Sequence, residues 1–442
     1  MKMQRRVAAA IAGIGLLAGG AATAQGHASA QEPARKAQER PNALQDAGAG
    51  RLHLPRGWQV ERVVLLMRHG VRSPDRPTPA FGKMPQPWPT WAGEPGALTE
   101  HGAAAIARLA AADREWLSAY GVIPASGCPE AGALNVMANS FQRTIRTAQV
   151  YAAAVAPGCG VVAQHRPQGE RDPLFPSGAW GNLVFSPAKA DEAANAAIGP
   201  AGLGRWDREA QPLVARLNTV LCGKVASDCG IHAPSSLQPA SLARPPRLNG
   251  GIAAASEAAG ALLLQYADGW PMARVGWGRA TAGDITALSE LVHRPYEITT
   301  RPPYLSTLET PLLKRRMAAA LDGGDKARLT VIVGHDGTIA SLAGELGLHW
   351  QVPGFARDYP AFGSGLGFAR VRDPAGQAHV AAFYRGQSLE QIRALAAVGQ
   401  GDLYLMTLPL PCASERAAGL CSHAEFQALL TAAKRQPGTT GD

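Results

Sequence analysis

Three stretches hold the residues best equipped for chemistry. Arg68-His69-Gly70-Val71-Arg72-Ser73-Pro74 sets an imidazole between two guanidiniums. Gly334-His335-Asp336-Gly337-Thr338 sets a second imidazole beside a carboxyl. Asn139-Ser140-Phe141-Gln142-Arg143-Thr144 contributes a further arginine. A planar guanidinium fork matches the oxygens of a phosphoryl group two at a time. A neutral imidazole has the basicity of a good nucleophile toward the phosphorus. A carboxyl beside them can hand a proton to a departing oxygen.

The flanking sequence says how these groups are positioned. Val63-Val64-Leu65-Leu66 runs into the first histidine, and Leu329-Thr330-Val331-Ile332-Val333 into the second. Both are apolar runs of the kind buried on two faces of a parallel sheet. Gly70 lets the chain turn and Pro74 forbids immediate helix continuation. In an open α/β sheet, chemistry sits beyond the carboxyl ends of the strands. Two such strands bring His69 and His335 to one edge. A third strand, Leu134 to Met137, leads into a helix that ends near Ala156. The start of that helix is itself an anion site, and Arg143 lies there. Arg146, three residues on, reads as solvated. Thr99 is the expected N-cap of a helix to about Tyr120, with Ile106, Leu109, Trp116 and Leu117 on its buried face. Between these elements, Asp75 to Pro95 is rich in Pro and Trp. It cannot be a helix, and is expected to wrap the mouth of the site.

The residues from Arg68 to Pro74 resemble the Arg-His-Gly-x-Arg-x-Pro motif of the histidine acid phosphatases, branch 2 of the histidine phosphatase superfamily. His335-Asp336 resembles that family's His-Asp motif, and Arg143-Thr144 its arginine-threonine helix start. The resemblance runs from about residue 58 to 434. It is strongest at 67–74, 139–147 and 334–341 and loose in the middle, where Leu248-Asn249-Gly250 to Gly276-Trp277-Gly278-Arg279 is similar to bacterial members. It implies a phosphoglycerate-mutase-like three-layer α/β/α sandwich with an inserted, mostly helical cap. It also implies hydrolysis of phosphomonoesters such as sugar phosphates and phytate through a phosphohistidine, with an acid optimum. His69 would be the nucleophile and Asp336 the proton donor. Arg68, Arg72, Arg143 and His335 would hold the phosphate. No cofactor and no metal is called for.

Two departures stand out. Many bacterial relatives continue His-Asp-x-Asn where this chain has Thr338, whose hydroxyl can still cap a helix. Asp75 stands where bacterial members often carry Thr. An acid there repels a highly charged ester unless it turns away or pairs, with Arg76 as one partner. Arg76, Lys83 and Arg146 are the nearby cations for a polyanionic substrate. The expectation is a broad acid phosphatase that accepts phytate without exclusive preference.

The rest of the 442-residue chain fits an exported enzyme. Lys2, Arg5 and Arg6 precede a short apolar run, Val7 to Leu17. Ala22-Thr23-Ala24 offers a small-residue cleavage site, so residues 1–24 read as a signal peptide. Residues 25–57 lack periodicity and read as a disordered linker. Hydrophobic content of 46% and charged content of 17% exclude general disorder. The net charge of +9 falls to +6 once the three cations of residues 1–24 are removed. That mild field favours anionic small molecules. No basic run with interleaved aromatics suggests nucleic acid, and no further apolar run is long enough for a membrane. Oligomeric state is left open.

An α/β catalytic domain is expected at 58–163 and 314–436, interrupted by a helical cap at 164–313. Cap helices are read near Trp206–Leu221, Gly251–Ala267, Asp284–Leu291 and Leu308–Leu321. Glu257, on the second of these, reads as an exposed helix charge. In the tail, Leu366–Val371 and Val380–Tyr384 form a hairpin. A helix near Ser388–Ala397, a strand near Leu403–Thr407 and a helix from His423 to Lys434 follow. Six cysteines permit fifteen pairings. Locality and the family resemblance favour Cys128–Cys159, Cys222–Cys229 and Cys412–Cys421 over a zinc site. No Gly-x-Ser-x-Gly elbow or Walker A loop is present. Two alternatives remain: a phosphotransferase or mutase on the same fold, and a non-catalytic binder of anionic sugars.

Overall fold

The computed structural model describes residues 51–75, 85–176, 185–224 and 229–431. The expected signal peptide, most of the expected linker, and Arg76 and Lys83 lie outside the described residues. From Leu52 onward the linker expectation gives way to packing. Leu52 is buried, and its N–H donates to the Tyr120 hydroxyl at 2.9 Å. Apolar side chains at Leu52 and Leu54 explain why this end adheres to the body.

The branched apolar runs become the central strands. β1 (Gln59–Arg68) is buried continuously from Val63 to Arg68. Its side chains alternate: Val64 and Leu66 enter one apolar cluster, and Val63, Leu65 and Met67 the other. A helix layer therefore covers each face. α1 (Glu100–Ala119) and α2 (Gln142–Val155) close one face with Ile106, Leu109, Trp116 and Tyr151. α8 (Pro311–Asp322), α9 (Asp336–Leu346) and α11 (His423–Thr431) close the other with Leu313, Met317, Ile339, Leu342 and Phe426. The strand order is β10-β8-β7-β1-β6-β2-β3. β6 (Leu329–Gly334) runs parallel to β1 and to β2 (Leu134–Ala138), and β3 (Gln164–His165) parallel to β2. β7 (Gly365–Arg372) and β8 (Ala378–Gly386) form the expected hairpin on the other side of β1. β9 (Tyr404–Leu408) and β10 (Cys421–Ser422) share the outer edge of β8, end to end. This is a mixed α/β fold around one sheet, as expected.

The helical segment holds α3 (Pro187–Ile198), α4 (Gly202–Cys222), α5 (Gly251–Ala267), α6 (Ala282–Thr299) and α7 (Pro303–Glu309). A small hairpin, β4 (Ser236–Gln238) with β5 (Arg247–Asn249), precedes α5. The single helix expected near Leu308–Leu321 is two, α7 and α8. Pro311 lacks an N–H and crowds the residue before it, so the chain breaks at Thr310. α3, the β4–β5 hairpin and the two-residue strands β3 and β10 were not foreseen, because short or Ala-rich elements leave little periodic signal. α10 (Leu389–Ala394) is shorter than its sequence suggested. Two tryptophan pairs join the Pro-rich stretch to the helical segment. Trp88 lies 4.8 Å from Trp277, and Trp91 lies 4.6 Å from Trp270, between ring centroids. All three expected disulfides are formed. Among the described residues, no helix is long and apolar enough to cross a membrane.

Candidate active site

Strand register alone assembles the site. Arg68 pairs with Gly334, and Ala138 with Val333. The ladder then continues one residue past the strands. The His69 N–H donates to the Gly334 carbonyl at 3.1 Å, and the Asn139 N–H to the Val333 carbonyl at 3.0 Å. His69, His335 and Asn139 thus leave the sheet at one edge, with the two imidazole centroids 5.6 Å apart. Behind them, α1 approaches the turn after His69 through Gly102, where a Cβ would lie 2.2 Å from the Val71 carbonyl oxygen. Thr99 caps this helix as expected, accepting from the Gly102 N–H at 2.9 Å.

His69 is buried. Its Nδ1–H donates to the Gly70 carbonyl at 2.8 Å, which leaves Nε2 with the ring's lone pair. Burial, then the charges of Arg143 and Arg68, push its pKa well below the usual 6.5. The surroundings therefore favour the neutral ring. His335 is fixed by Nε2–H donation to the Asn139 side-chain oxygen at 2.9 Å, and Phe141 and Phe175 lie edge-on to its ring. Burial and Arg143 bring its pKa down to about 3.

Arg68 is held on all sides. It contacts Asp336 Oδ2 at 2.7 Å, donates to the Tyr359 hydroxyl at 3.1 Å and to the Pro360 carbonyl, and lies over the Phe362 ring. Burial works against its charge, but Tyr359 and Asp336 outweigh it and raise its pKa. Asp336 begins α9, and its Oδ1 accepts from the Gly337 N–H at 2.9 Å. Burial disfavours its charge, yet Arg68, Arg72 and His335 bring its pKa down to about 2. Thr338 is buried within the first turn of α9 and does not serve as its N-cap.

Arg72 and Arg143 meet at Asp75. Arg72 Nη2 lies 2.9 Å from Asp75 Oδ2, and Arg143 Nη1 lies 3.4 Å from Asp75 Oδ1. Asp75 therefore pairs with Arg72 and Arg143. Arg146 is exposed, as read from sequence.

A cavity of about 380 Å³ opens over Arg68, Arg72 and Asp336. Its far wall comes from the helical segment: Arg247 on β5, Ser256 and Glu257 on α5, and Tyr296 on α6. Glu257 is exposed, as expected, but it faces this cavity rather than bulk surface alone. Sequence reasoning missed Asn139 as the anchor of His335, and Tyr359 and Tyr296 as hydroxyl partners. Tyr296 hydrogen-bonds Asp336 from the helical segment. It also missed Glu309, at the end of α7, whose pKa is raised to about 7 by burial and by the charge of Asp336. None of these has a local motif. All six residues singled out by sequence, His69, Asp336, Arg68, Arg72, Arg143 and His335, are brought together.

The arrangement has close relatives. The model of the histidine phosphatase superfamily, branch 2, matches residues 59–228. The phytase AppA of Escherichia coli is 29% identical over 411 residues, covering 85% of this chain and 92% of that protein. A glucose-1-phosphatase of Salmonella typhimurium is 28% identical over 294 residues, covering 65% of this chain and 71% of its own. Among solved structures, the Hafnia alvei phytase in complex with tartrate superposes with a TM-score of 0.78 at 28% identity, covering 86% of this chain and 98% of that one. Motif set, fold and relatives agree: over residues 59–228 the chain is similar to branch 2 of the histidine phosphatase superfamily, and along most of its length to bacterial phytases.

Proposed function

We propose that the protein is an acid phosphatase that hydrolyses phosphomonoesters through a phosphohistidine at His69. The observation that carries this reading is the Nδ1–H bond to the Gly70 carbonyl, which commits the His69 ring to one tautomer and keeps a lone pair on Nε2 amid Arg68, Arg72, Arg143 and His335. Phosphate monoesters react extremely slowly in water, and the protein's contribution is mainly positioning and charge. Arg68, Arg72 and Arg143 hold the nonbridging oxygens, and His335 joins them once the charge of the bound phosphoryl group lets its ring take a second proton, on Nδ1. Nε2 attacks phosphorus in line, the ester P–O bond breaks, and the departing oxygen takes the proton of Asp336. In the second half, the Asp336 carboxylate removes a proton from water, which attacks phosphorus. The P–N bond breaks, and its electrons return to Nε2.

Asp336 must be protonated for the first half, yet the arginines keep it ionised down to about pH 2. Two effects reconcile this. A bound phosphoryl group neutralises the arginines and releases their hold. An ester entering as the monoanion also brings a proton, and the second ionisation of such esters falls near 6. This favours turnover at acid pH, where His69 is still neutral. The substrate class follows the named activities of the relatives, glucose-1-phosphatase and phytase. Three disulfides and the signal-like N-terminus support export to an oxidising compartment. His69→Ala should abolish turnover while leaving the fold intact. A denaturing quench of the wild type should retain label from a radioactive ester at alkaline pH and lose it in acid. Turnover above a trace in His69→Ala would sink the assignment.

A further inference from the structure

The arginines expected to receive phosphate already have carboxylate partners within the chain. Arg68 has Asp336, while Arg72 and Arg143 share Asp75. Each oxygen of Asp75 takes a different arginine, the same division that two oxygens of a phosphoryl group would make. We propose that Asp75 is an internal anion seated on the phosphate clamp, which competes with incoming phosphoryl groups for Arg72 and Arg143 and selects against esters carrying further negative charge. The proposal rests on the phosphatase reading for its substrate.

The seat for this carboxylate is built into the backbone. The Ser73 N–H donates to the Ala97 carbonyl at 3.0 Å, and the Gly96 N–H to the Pro74 carbonyl at 2.9 Å. These bonds clamp the residues before Asp75 against a second strip of chain. Under the carboxylate lies Gly96, where a Cβ would come within 2.6 Å of Asp75 Oδ1. A side chain there would push the acid off the arginines. Yet the Asp75 side chain is 56% exposed, against 25% for Asp336. It can swing into solvent by rotating its own χ angles, with no movement of the backbone. An exposed carboxylate on two half-buried arginines is thus held well enough to compete and loosely enough to be displaced.

The cavity wall extends the argument to substrate class. Among the described residues, its charged lining consists of three arginines, Arg68, Arg72 and Arg247, and three acids, Asp75, Glu257 and Asp336. One phosphoryl group uses Arg68 and Arg72. A second phosphate on the same molecule would meet Glu257 and the displaced Asp75, with Arg247 as the remaining lining cation among the described residues. Ser256, Tyr296 and Tyr359 add neutral hydroxyls to the lining, beside apolar side chains such as Leu264, Val292 and Phe362. They suit the hydroxyl groups of an uncharged polyol. The favoured ester is therefore a single phosphate on a neutral, hydroxylated alcohol.

The test is Asp75→Asn, which keeps the shape and removes the charge, with Asp75→Glu as the charge-retaining control. Calorimetry with inorganic phosphate reads the clamp without turnover. Two part-exposed ion pairs of this kind correspond to about a 2- to 30-fold tightening of phosphate on Asp75→Asn. Asp75→Glu should stay within about twofold of wild type, since the competing charge remains. The kcat/KM for inositol hexakisphosphate relative to glucose-1-phosphate should rise in Asp75→Asn and not in Asp75→Glu. Unchanged or weaker phosphate binding in Asp75→Asn would overturn the proposal, because Asp75 would then be holding the arginines in place. Equal tightening in both variants would overturn it too, by making the effect steric. A wild type that binds phosphate but hydrolyses no ester would defeat the phosphatase reading and leave this comparison standing.

Discussion

Replacing Asp336 with Asn separates the two jobs proposed for it, because the substitution removes the proposed proton donor and a partly buried counter-ion in one step. The chemical effect depends on the leaving group. A sugar alkoxide leaves poorly without a proton, so phosphorylation by glucose-1-phosphate should fall about 10²- to 10⁴-fold. A nitrophenolate needs little help, and its phosphorylation rate should fall far less. The structural effect comes from the 2.7 Å contact with Arg68, whose side chain is 4% exposed. Lowering the Asp336 pKa from its ordinary 3.8 to about 2 stabilises the fold by about 2 kcal/mol at pH values above the unfolded pKa. The sign is that of a depressed carboxyl. The contribution is complete above about pH 4 and is lost as pH falls through about 2. Asp336→Asn should therefore be less stable than wild type by about that amount at pH 6, and the gap should close toward pH 2. Rapid-quench measurement of phosphoenzyme formation isolates the first step from hydrolysis, and denaturant melts across pH give the second effect. Equal losses of phosphorylation rate on both esters would refute the proton-donor role. A stability gap that does not change between pH 6 and pH 2 would refute the charge argument.

Two further outcomes follow from groups away from the reacting atoms. Glu309 has its pKa raised from 4.5 to about 7, burial first and Asp336 second, so its protonated form is the one the fold favours. That contribution is full below about pH 4.5 and lost as pH rises through about 7. Glu309→Gln should match wild type in melting near pH 4 and exceed it by about 3 kcal/mol at pH 8; a constant difference at both pH values would show that burial does not perturb this group. The Cys128–Cys159 bridge closes the longest loop, with a sequence separation of 31. Its double Ser variant should lose about 3.7 kcal/mol in the chain-entropy account, against about 2.4 for Cys222–Cys229 and about 2.6 for Cys412–Cys421. Denaturant midpoints in the opposite order would contradict loop length as the cause.

The sheet edge that carries His69 and His335 was legible because its residues are consecutive with the strands that place them. His69 and His335 each follow an unbroken apolar run, and parallel pairing in register leaves their positions little choice. Arg143 was readable for a similar reason, as the opening of a helix after a strand. What could not be read were contacts made across long stretches of chain. Tyr359 reaches Arg68 over 291 positions, and Asn139 reaches His335 over 196. Neither lies in a pattern with its partner. Asp75 was recognisable as an anomaly, but its partners depend on side-chain direction after a turn, which spacing does not specify. Glu257 shows the same limit: it read as an exposed helix charge, and a place on a helix does not by itself tell open solvent from a cavity wall. The break at Thr310–Pro311 was the one misjudged element with a local signal, since proline after a short helix is a reason to stop.

The tryptophan pairs give the protein an optical property of its own. In each pair, one indole belongs to the Pro-rich stretch after the turn at His69 and the other to the chain following α5. Centroid separations of 4.6 and 4.8 Å, with rings inclined at 41° and 49°, put two strong transition dipoles close together and at an angle. Such dipoles couple, splitting the indole absorption into a circular-dichroism couplet that neither ring produces alone. The Trp277 indole N–H is also tied to the Pro87 carbonyl at 3.0 Å. The couplet therefore depends on contact between the loop and the helical segment. Ultraviolet dichroism of the unlabelled protein can follow that contact in real time while phosphate or an ester is titrated in.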